Sequence, residues 1–288
     1  MAFLLHQFIH DSAKRTPDAP ALLFRQDTLS YRTIDELVNQ VASGLRALGI
    51  ERDQRVAVYL PKQFETVGAM FGTCAAGGVF VPVNPILKPE QVGHILRDCS
   101  TRILVTSPDR ARLLSDTLAE CPDLSQVVLV GSDDAAESQD HGIPTCRWEQ
   151  MLGEPTPPEL RRIDCDMAAI LYTSGSTGRP KGVVLSHRNM MAGADSVASY
   201  LRNQADDRLL AVLPFSFDYG LSQLTTAFSV GASVVLMDYL LPRDVIRAVA
   251  RYRVTGLAAV PPLWNQLADL PWPEEAVECL RYITNSGG

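Results

Sequence analysis

Short segments that are apolar on both faces recur along this chain, each separated from the next by a stretch with helical apolar spacing. VAVYL (56–60), VFVPV (79–83), RILVT (102–106) and QVVLV (126–130) are of the first kind. The stripe Ile34, Leu37, Val38, Val41, Leu45 and Leu48, closed by Gly49, is of the second, and further helices are expected over 62–76, 89–98 and 109–120. A strand that is apolar on both faces must be covered on both, so the alternation predicts an α/β protein with largely parallel sheets flanked by helices. Residues 131–165 break the rhythm with GSDDAAESQDHG and EPTPPELRR and are expected to form an exposed connection.

A second series follows: strand 167–172, a Gly/Ser/Thr loop, strand 182–186 and a helix from His187 capped by Ser186. It continues with strands at 209–212, 233–237, 256–260 and 281–284, and helices at 220–230, 243–252 and 262–269. Two similar sheets are therefore expected, one in a first subdomain over 1–165 and one in a second over 166–288 that carries the loop. The chain reaches Asn285-Ser286-Gly287-Gly288 directly after an apolar strand signal, which predicts an incomplete second subdomain and the N-terminal part of a longer protein.

Composition narrows the function classes. A net charge of −7 and pI near 5.3 argue against a nucleic-acid partner, which requires a positive face. No residue between Thr66 and Leu87 is charged, but Gly68, Gly72, Gly77, Gly78, Pro82 and Pro85 interrupt the run, so a buried helix and strand are expected there rather than a transmembrane segment. The six cysteines lie at least 19 residues apart without a C-x-x-C pair or zinc-type spacing, so no metal ligands are assigned. Reduced cysteines and an N-terminus without the pattern of a secretory signal predict a cytoplasmic protein.

The segment most suggestive of chemistry is Tyr172-Thr173-Ser174-Gly175-Ser176-Thr177-Gly178-Arg179-Pro180-Lys181-Gly182, set between two strands. Its glycines permit close backbone approach, its hydroxyls supply donors beside the loop amides, and Lys181 is one of only four lysines against 22 arginines. These are the means to wrap a polyphosphate, although a ligand-free hairpin connection has a similar composition. The spacing matches neither a Walker loop nor a nucleophile elbow.

YTSGSTGRPKG closely resembles the phosphate-binding signature of the adenylate-forming ligases, the superfamily of AMP-forming acyl-CoA synthetases, luciferases and nonribosomal adenylation domains. LSYRTIDEL (29–37) and GTCAAGGVFVPVNP (72–85) are similar to two further elements of that superfamily, both architectural. The resemblance implies that a carboxylic acid attacks the α-phosphate of ATP, pyrophosphate leaves, and the acyl-adenylate passes to a thiol, CoA or a carrier protein. Thr173, Ser174, Gly175, Ser176, Thr177 and Gly178 would cradle the phosphates, with Thr173 and Lys181 as catalytic groups and Lys181 supplying charge. Gly287 and Gly288 resemble the start of the adenine-contacting loop, or are a Gly pair after a strand.

Phe217, Asp218, Tyr219 and Gly220 occupy the place of a substrate-pocket segment. Phe217 stands where acyl-CoA ligases carry a gating histidine or aromatic ring, or is plain core. Asp218 matches the amino-group ligand of amino-acid-activating relatives, or is a helix N-cap. VPPLWNQL (260–267) resembles a pocket-lining segment and equally reads as an ordinary helix. His187 is assigned to capping or packing, and His94 and Cys74 to packing. LLHQFIHDSAKRTPDAPAL and GGVFVPVNPILKPEQVGHIL are most similar to the acyl-CoA ligases of bacterial exosortase and exopolysaccharide systems.

The superfamily's Y-G-x-T-E segment, whose glutamate helps hold Mg2+, and its C-terminal domain fall beyond Gly288. The 288 residues alone are therefore expected to lack ligase activity. The alternatives are an amino-acid-activating ligase that loads a carrier protein, and a truncated nucleotide-binding module that performs no ligation.

Overall fold

The computed structural model describes residues 3–131, 142–155, 162–173 and 180–286. The chain begins with α1 (Gln7–Arg15), β1 (Pro20–Phe24), β2 (Asp27–Ser30), α2 (Tyr31–Ala47), β3 (Arg55–Tyr59), α3 (Phe64–Ala76) and β4 (Val79–Pro82). There follow α4 (Pro89–Asp98), β5 (Thr101–Thr106), α5 (Pro108–Leu113), α6 (Ser115–Ala119), β6 (Gln126–Leu129), β7 (Thr145–Arg147), α7 (Trp148–Met151), β8 (Met167–Thr173) and β9 (Lys181–Ser186). The last elements are α8 (His187–Leu201), β10 (Arg208–Ala211), α9 (Asp218–Val230), β11 (Ser233–Leu236), α10 (Pro242–Tyr252), β12 (Gly256–Ala259), α11 (Pro261–Ala268), α12 (Glu274–Cys279) and β13 (Tyr282–Asn285).

Two sheets form, as the alternation predicts. One has the order β7-β6-β5-β3-β4-β8-β9 and the other β13-β12-β10-β11-β1-β2. In each, every pairing is parallel except the last, β8 with β9 and β1 with β2. The seven-stranded sheet buries Ala57, Val79, Val81, Leu104, Val127 and Leu129 against Val92, Ile95 and Leu96 of α4 and Leu114 and Leu118. The six-stranded sheet buries Leu210, Val235, Leu257 and Ala259 against Val245, Ile246 and Val249 of α10 and Leu263 and Leu267 of α11. The apolar spacing of α4 and α10 thus faces the strand runs it was expected to cover.

The uncharged run after Thr66 is explained by α3, whose residues from Thr66 to Ala76 are all buried, followed by the left-handed Gly77 and the buried strand β4. No described helix is long and apolar enough to cross a membrane.

Several expectations are corrected. The helix expected over 109–120 breaks at Leu114, which is fully buried between α5 and α6. Residues 131–165 are not a plain connection: β7 pairs in parallel with β6, and α7 buries Trp148 and Met151. A three-residue edge strand of sequence TCR has no apolar run to betray it. The elements β1, β2 and α12 are likewise too short for a periodic signal.

The compact units also differ from a division between residues 165 and 166. The first holds 3–6 and 36–188, the second 7–35 and 189–288. The reason is pairing: β1 lies in parallel beside β11, so the segment before α2 joins the second unit, while β8 lies beside β4, so the hairpin joins the first.

Candidate functional site

In the first unit, β8 turns apolar side chains Ala168 to Leu171 inward and then emerges, so that Tyr172 is half-buried and Thr173 exposed. β9 returns antiparallel with Tyr172 opposite Gly182 and Thr173 opposite Lys181. The two expected strands are therefore present and paired, and Thr173 and Lys181 form the pair next to residues 174–179. Because β8 runs parallel to β4, this pair lies at the carboxyl end of the parallel sheet, where open α/β sheets place ligand crevices. Ser174, Gly175, Ser176, Thr177 and Gly178 lie outside the described residues, as do Gly287 and Gly288. Lys181 is exposed and has no ion-pair partner among the described residues.

The stems of the hairpin are held from α4. Tyr172 donates its hydroxyl to Asp98 Oδ2 at 2.6 Å, and His94 Nε2 lies 3.1 Å from the carbonyl oxygen of Pro180. A carbonyl only accepts, so His94 carries its proton on Nε2 and donates. Gly182 is fitted to this arrangement: a Cβ there would stand 2.7 Å from Ile170 Cγ2 and 3.2 Å from Tyr172 Cζ. Burial, and next the hydrogen bond to Asp98, push the Tyr172 phenol above its usual range, so it stays a neutral donor. Sequence reading assigned His94 to packing, whereas the side chain is half-buried and makes a directed bond. The hint lay in the spacing of His94 and Asp98, which puts both on one helix face.

The other predicted pocket residues gather at the carboxyl ends of β10, β12 and β13 in the second unit. Helix α9 begins at Asp218, two residues earlier than expected, with Phe217 rather than Asp218 at the N-cap. Phe217 is 39% exposed, so it is not plain core, and it meets Tyr219 edge-to-face at 6.4 Å between ring centroids. Tyr219 hydrogen-bonds Thr284 through their hydroxyls, and Trp264 Nε1 donates to the Thr284 carbonyl at 2.9 Å. Gly220 is needed where it stands, since a Cβ would fall 2.1 Å from the Pro214 carbonyl oxygen. The Asp218 carboxylate is exposed in the first helical turn, which favours a negative charge, and has no hydrogen-bond partner among the described residues. Trp264 and Thr284 complete this cluster.

Two residues assigned to architecture behave so. Tyr31 is fully buried, donates to the Ala232 carbonyl at 2.6 Å and meets Phe228 edge-to-face. His187 opens α8, is 1% exposed and accepts the Leu5 amide on Nδ1 at 3.1 Å. Burial first, and then the charge of Arg162, push its pKa down to about 4, so it is neutral at physiological pH and unsuited to acid–base work there.

The AMP-binding enzyme family matches residues 9–288. The chain belongs to that family. Among its relatives, this AMP-binding chain is 30% identical over 290 residues to bacitracin synthase 3 of Bacillus licheniformis, covering 98% of this chain and 4% of that protein. It is 30% identical over 286 residues to the indigoidine synthase of Dickeya dadantii, covering 97% of this chain and 18% of that protein. The chain thus spans a small part of these curated relatives. In fold it is similar to the anthranilate CoA ligase AuaEII in complex with anthranoyl-AMP, at a TM-score of 0.86 and 23% identity over 98% of this chain and 55% of that one. ATP-bound MatB from Rhodopseudomonas palustris gives 0.81 and 23% over 97% and 54%. The α/β architecture of two mostly parallel sheets is therefore that of adenylate-forming ligases.

Proposed function

We propose that this protein uses ATP to activate a carboxylic acid as an acyl-adenylate, with release of pyrophosphate, and then transfers the acyl group to the thiol of CoA. The observation that carries this reading is the Thr173–Lys181 pair, which flanks the Gly/Ser/Thr segment at the carboxyl edge of a parallel sheet. In the first step a carboxylate oxygen bonds to the α-phosphorus as the bond to the pyrophosphate oxygen breaks. Negative charge grows on the leaving group, and the Lys181 ammonium, together with the backbone and hydroxyls of 173–178, stabilises it. In the second step the thiolate sulfur bonds the acyl carbon and AMP leaves. Mg2+, the usual companion of ATP, finds no group of three His, Cys, Asp or Glu side chains able to hold it among the described residues. No step is therefore assigned to this chain through it. The six free thiols fit a reducing, cytoplasmic setting.

The full-length protein should catalyse carboxylate-dependent exchange of pyrophosphate into ATP. Lys181→Ala should weaken ATP or pyrophosphate handling by about 1.5–3 kcal/mol, the size of a charged hydrogen bond. An unchanged ATP KM and kcat would overturn the assignment.

One observation favours a second reading, in which an amino acid is activated and loaded on a carrier protein. The Asp218 carboxylate stands exposed beside Phe217 and Tyr219, free to meet an ammonium group, and relatives at 30% identity are bacitracin and indigoidine synthases. Exchange with amino acids but not with fatty or aryl acids, lost selectively in Asp218→Ala, would establish it.

A further inference from the structure

We propose that His94 and Asp98 are positioning residues for the phosphate loop, acting as a two-point clamp from α4 that fixes both stems of the β8–β9 hairpin and so the placement of Lys181. The inference rests on the phosphate-binding reading above. The two side chains are four residues apart on one helix, hence on one face. Asp98 holds the rising strand through the Tyr172 hydroxyl at 2.6 Å, one residue before Thr173. His94 holds the returning strand through the Pro180 carbonyl at 3.1 Å, one residue before Lys181.

The bonds are placed where they are needed. β9 is an edge strand whose residues Lys181 to Val184 are exposed, so its own sheet restrains it from one side only. Pro180 has no amide hydrogen, leaving its carbonyl as the sole backbone group by which that residue can be tied. The Tyr172 ring crosses Gly182 on the partner strand, so fixing the phenol also fixes the strand that carries Lys181. α4 itself is anchored by Val92, Ile95 and Leu96 in the core, so the clamp stands on a rigid support. A lysine on a flexible stem loses side-chain and backbone entropy when it binds an anion. Holding the stem beforehand lowers that cost without any contact between the clamp and the ligand.

Magnesium pyrophosphate titrated into the 288-residue chain provides the test, with thermal unfolding measured in parallel. His94→Leu and Asp98→Ala should each weaken pyrophosphate about three- to tenfold, the worth of one hydrogen bond, while the unfolding midpoint stays close to the parent's. His94→Gln, which keeps a donor, and Asp98→Asn, which keeps an acceptor, should return affinity to within about twofold. Tyr172→Phe combined with Asp98→Ala should cost no more than either alone, because both remove one bond. Parent affinity in His94→Leu and Asp98→Ala, with Lys181→Ala still impaired, would overturn the clamp and leave the phosphate reading standing. Losses that Gln and Asn do not restore would also overturn it. A parent chain with no affinity for pyrophosphate would overturn the phosphate reading, and the clamp with it.

Discussion

Each of the two sheets ends in one antiparallel hairpin, and the two hairpins differ in what they do with the turn. In the six-stranded sheet, β1 and β2 are joined by Arg25 and Gln26 alone, with Arg25 in the left-handed region at φ 58°. The carbonyl of Arg25 is consumed inside its own unit, accepting from Tyr252 Oη at 2.5 Å and Arg251 Nη2 at 3.4 Å. In the seven-stranded sheet, β8 and β9 are joined through residues 174–180, and it is the stems that are tied down, by His94 and Asp98. The same topological device ends in a two-residue turn in one case and in two stems anchored from α4 in the other.

The contrast can be broken most forcefully in the six-stranded sheet, at the amino ends of β10, β12 and β13. Asp207 there is 2% exposed and accepts from Arg281 Nε at 2.8 Å, Thr255 Oγ1 at 2.7 Å, the Gln204 amide at 2.8 Å and Asn203 Nδ2 at 3.1 Å. Burial alone would raise its pKa, but Arg281 and the other donors outweigh it and hold the carboxyl below the usual range. Asp207→Ala should cost about 3 kcal/mol in urea unfolding, because the Gln204 amide, Asn203 and Thr255 lose their acceptor while the part-exposed Arg281 can turn to water. Pyrophosphate affinity, measured where the variant is folded, should not change. A parallel loss of affinity would mean that the hairpin is not the phosphate site on its own.

The next effect is in pH. His187 has a folded pKa near 4 against about 6.5 unfolded, so the unfolded chain binds more protons between those values. Its contribution is complete above pH 6.5 and is lost as pH falls toward 4, a decline of up to ~3 kcal/mol. Asp53, Asp164 and Asp166, which ease protonation, and Arg162, which opposes it, set the remainder. His187→Gln should flatten stability between pH 4 and 6.5, and an undiminished slope would place the titration elsewhere.

Smaller effects compare the hairpins directly. Gly182→Ala should cost about 1–3 kcal/mol, the range for overpacking, because the new methyl meets Ile170 and the Tyr172 ring, and it should weaken pyrophosphate binding as well. Arg25→Gly should shift stability by less than about 1 kcal/mol and leave pyrophosphate binding unchanged, since the turn conformation suits glycine. Equal sensitivity of binding to both variants would erase the distinction between the two turns.

Much of the fold was legible because parallel strands buried on both faces, such as VAVYL and QVVLV, announce themselves as apolar runs. α4 was read at its observed limits, 89–98. The edge elements were not legible: β7 has the sequence TCR and β2 the sequence DTLS, which bury too little to leave a pattern. Nor could the sequence show that residues before α2 join the later sheet, because strand order is set by packing between distant segments. At the site, the hairpin with Lys181 was legible from the apolar strands that flank YTSGSTGRPKG and from that segment's resemblance to a family signature. The roles of His94 and Asp98 were not, since the bonds to Pro180 and Tyr172 span 86 and 74 residues of sequence. Asp218 was half legible: its place at the start of a helix was foreseen, but the cap fell to Phe217.

The central claim is that the β8–β9 hairpin holds the phosphates through Lys181. Calorimetric titration of magnesium pyrophosphate into the parent chain and Lys181→Ala tests it most directly. The account predicts saturable binding by the parent and a loss of about ten- to a hundredfold in the variant, with an unchanged unfolding midpoint. Equal affinity in the two proteins would contradict it.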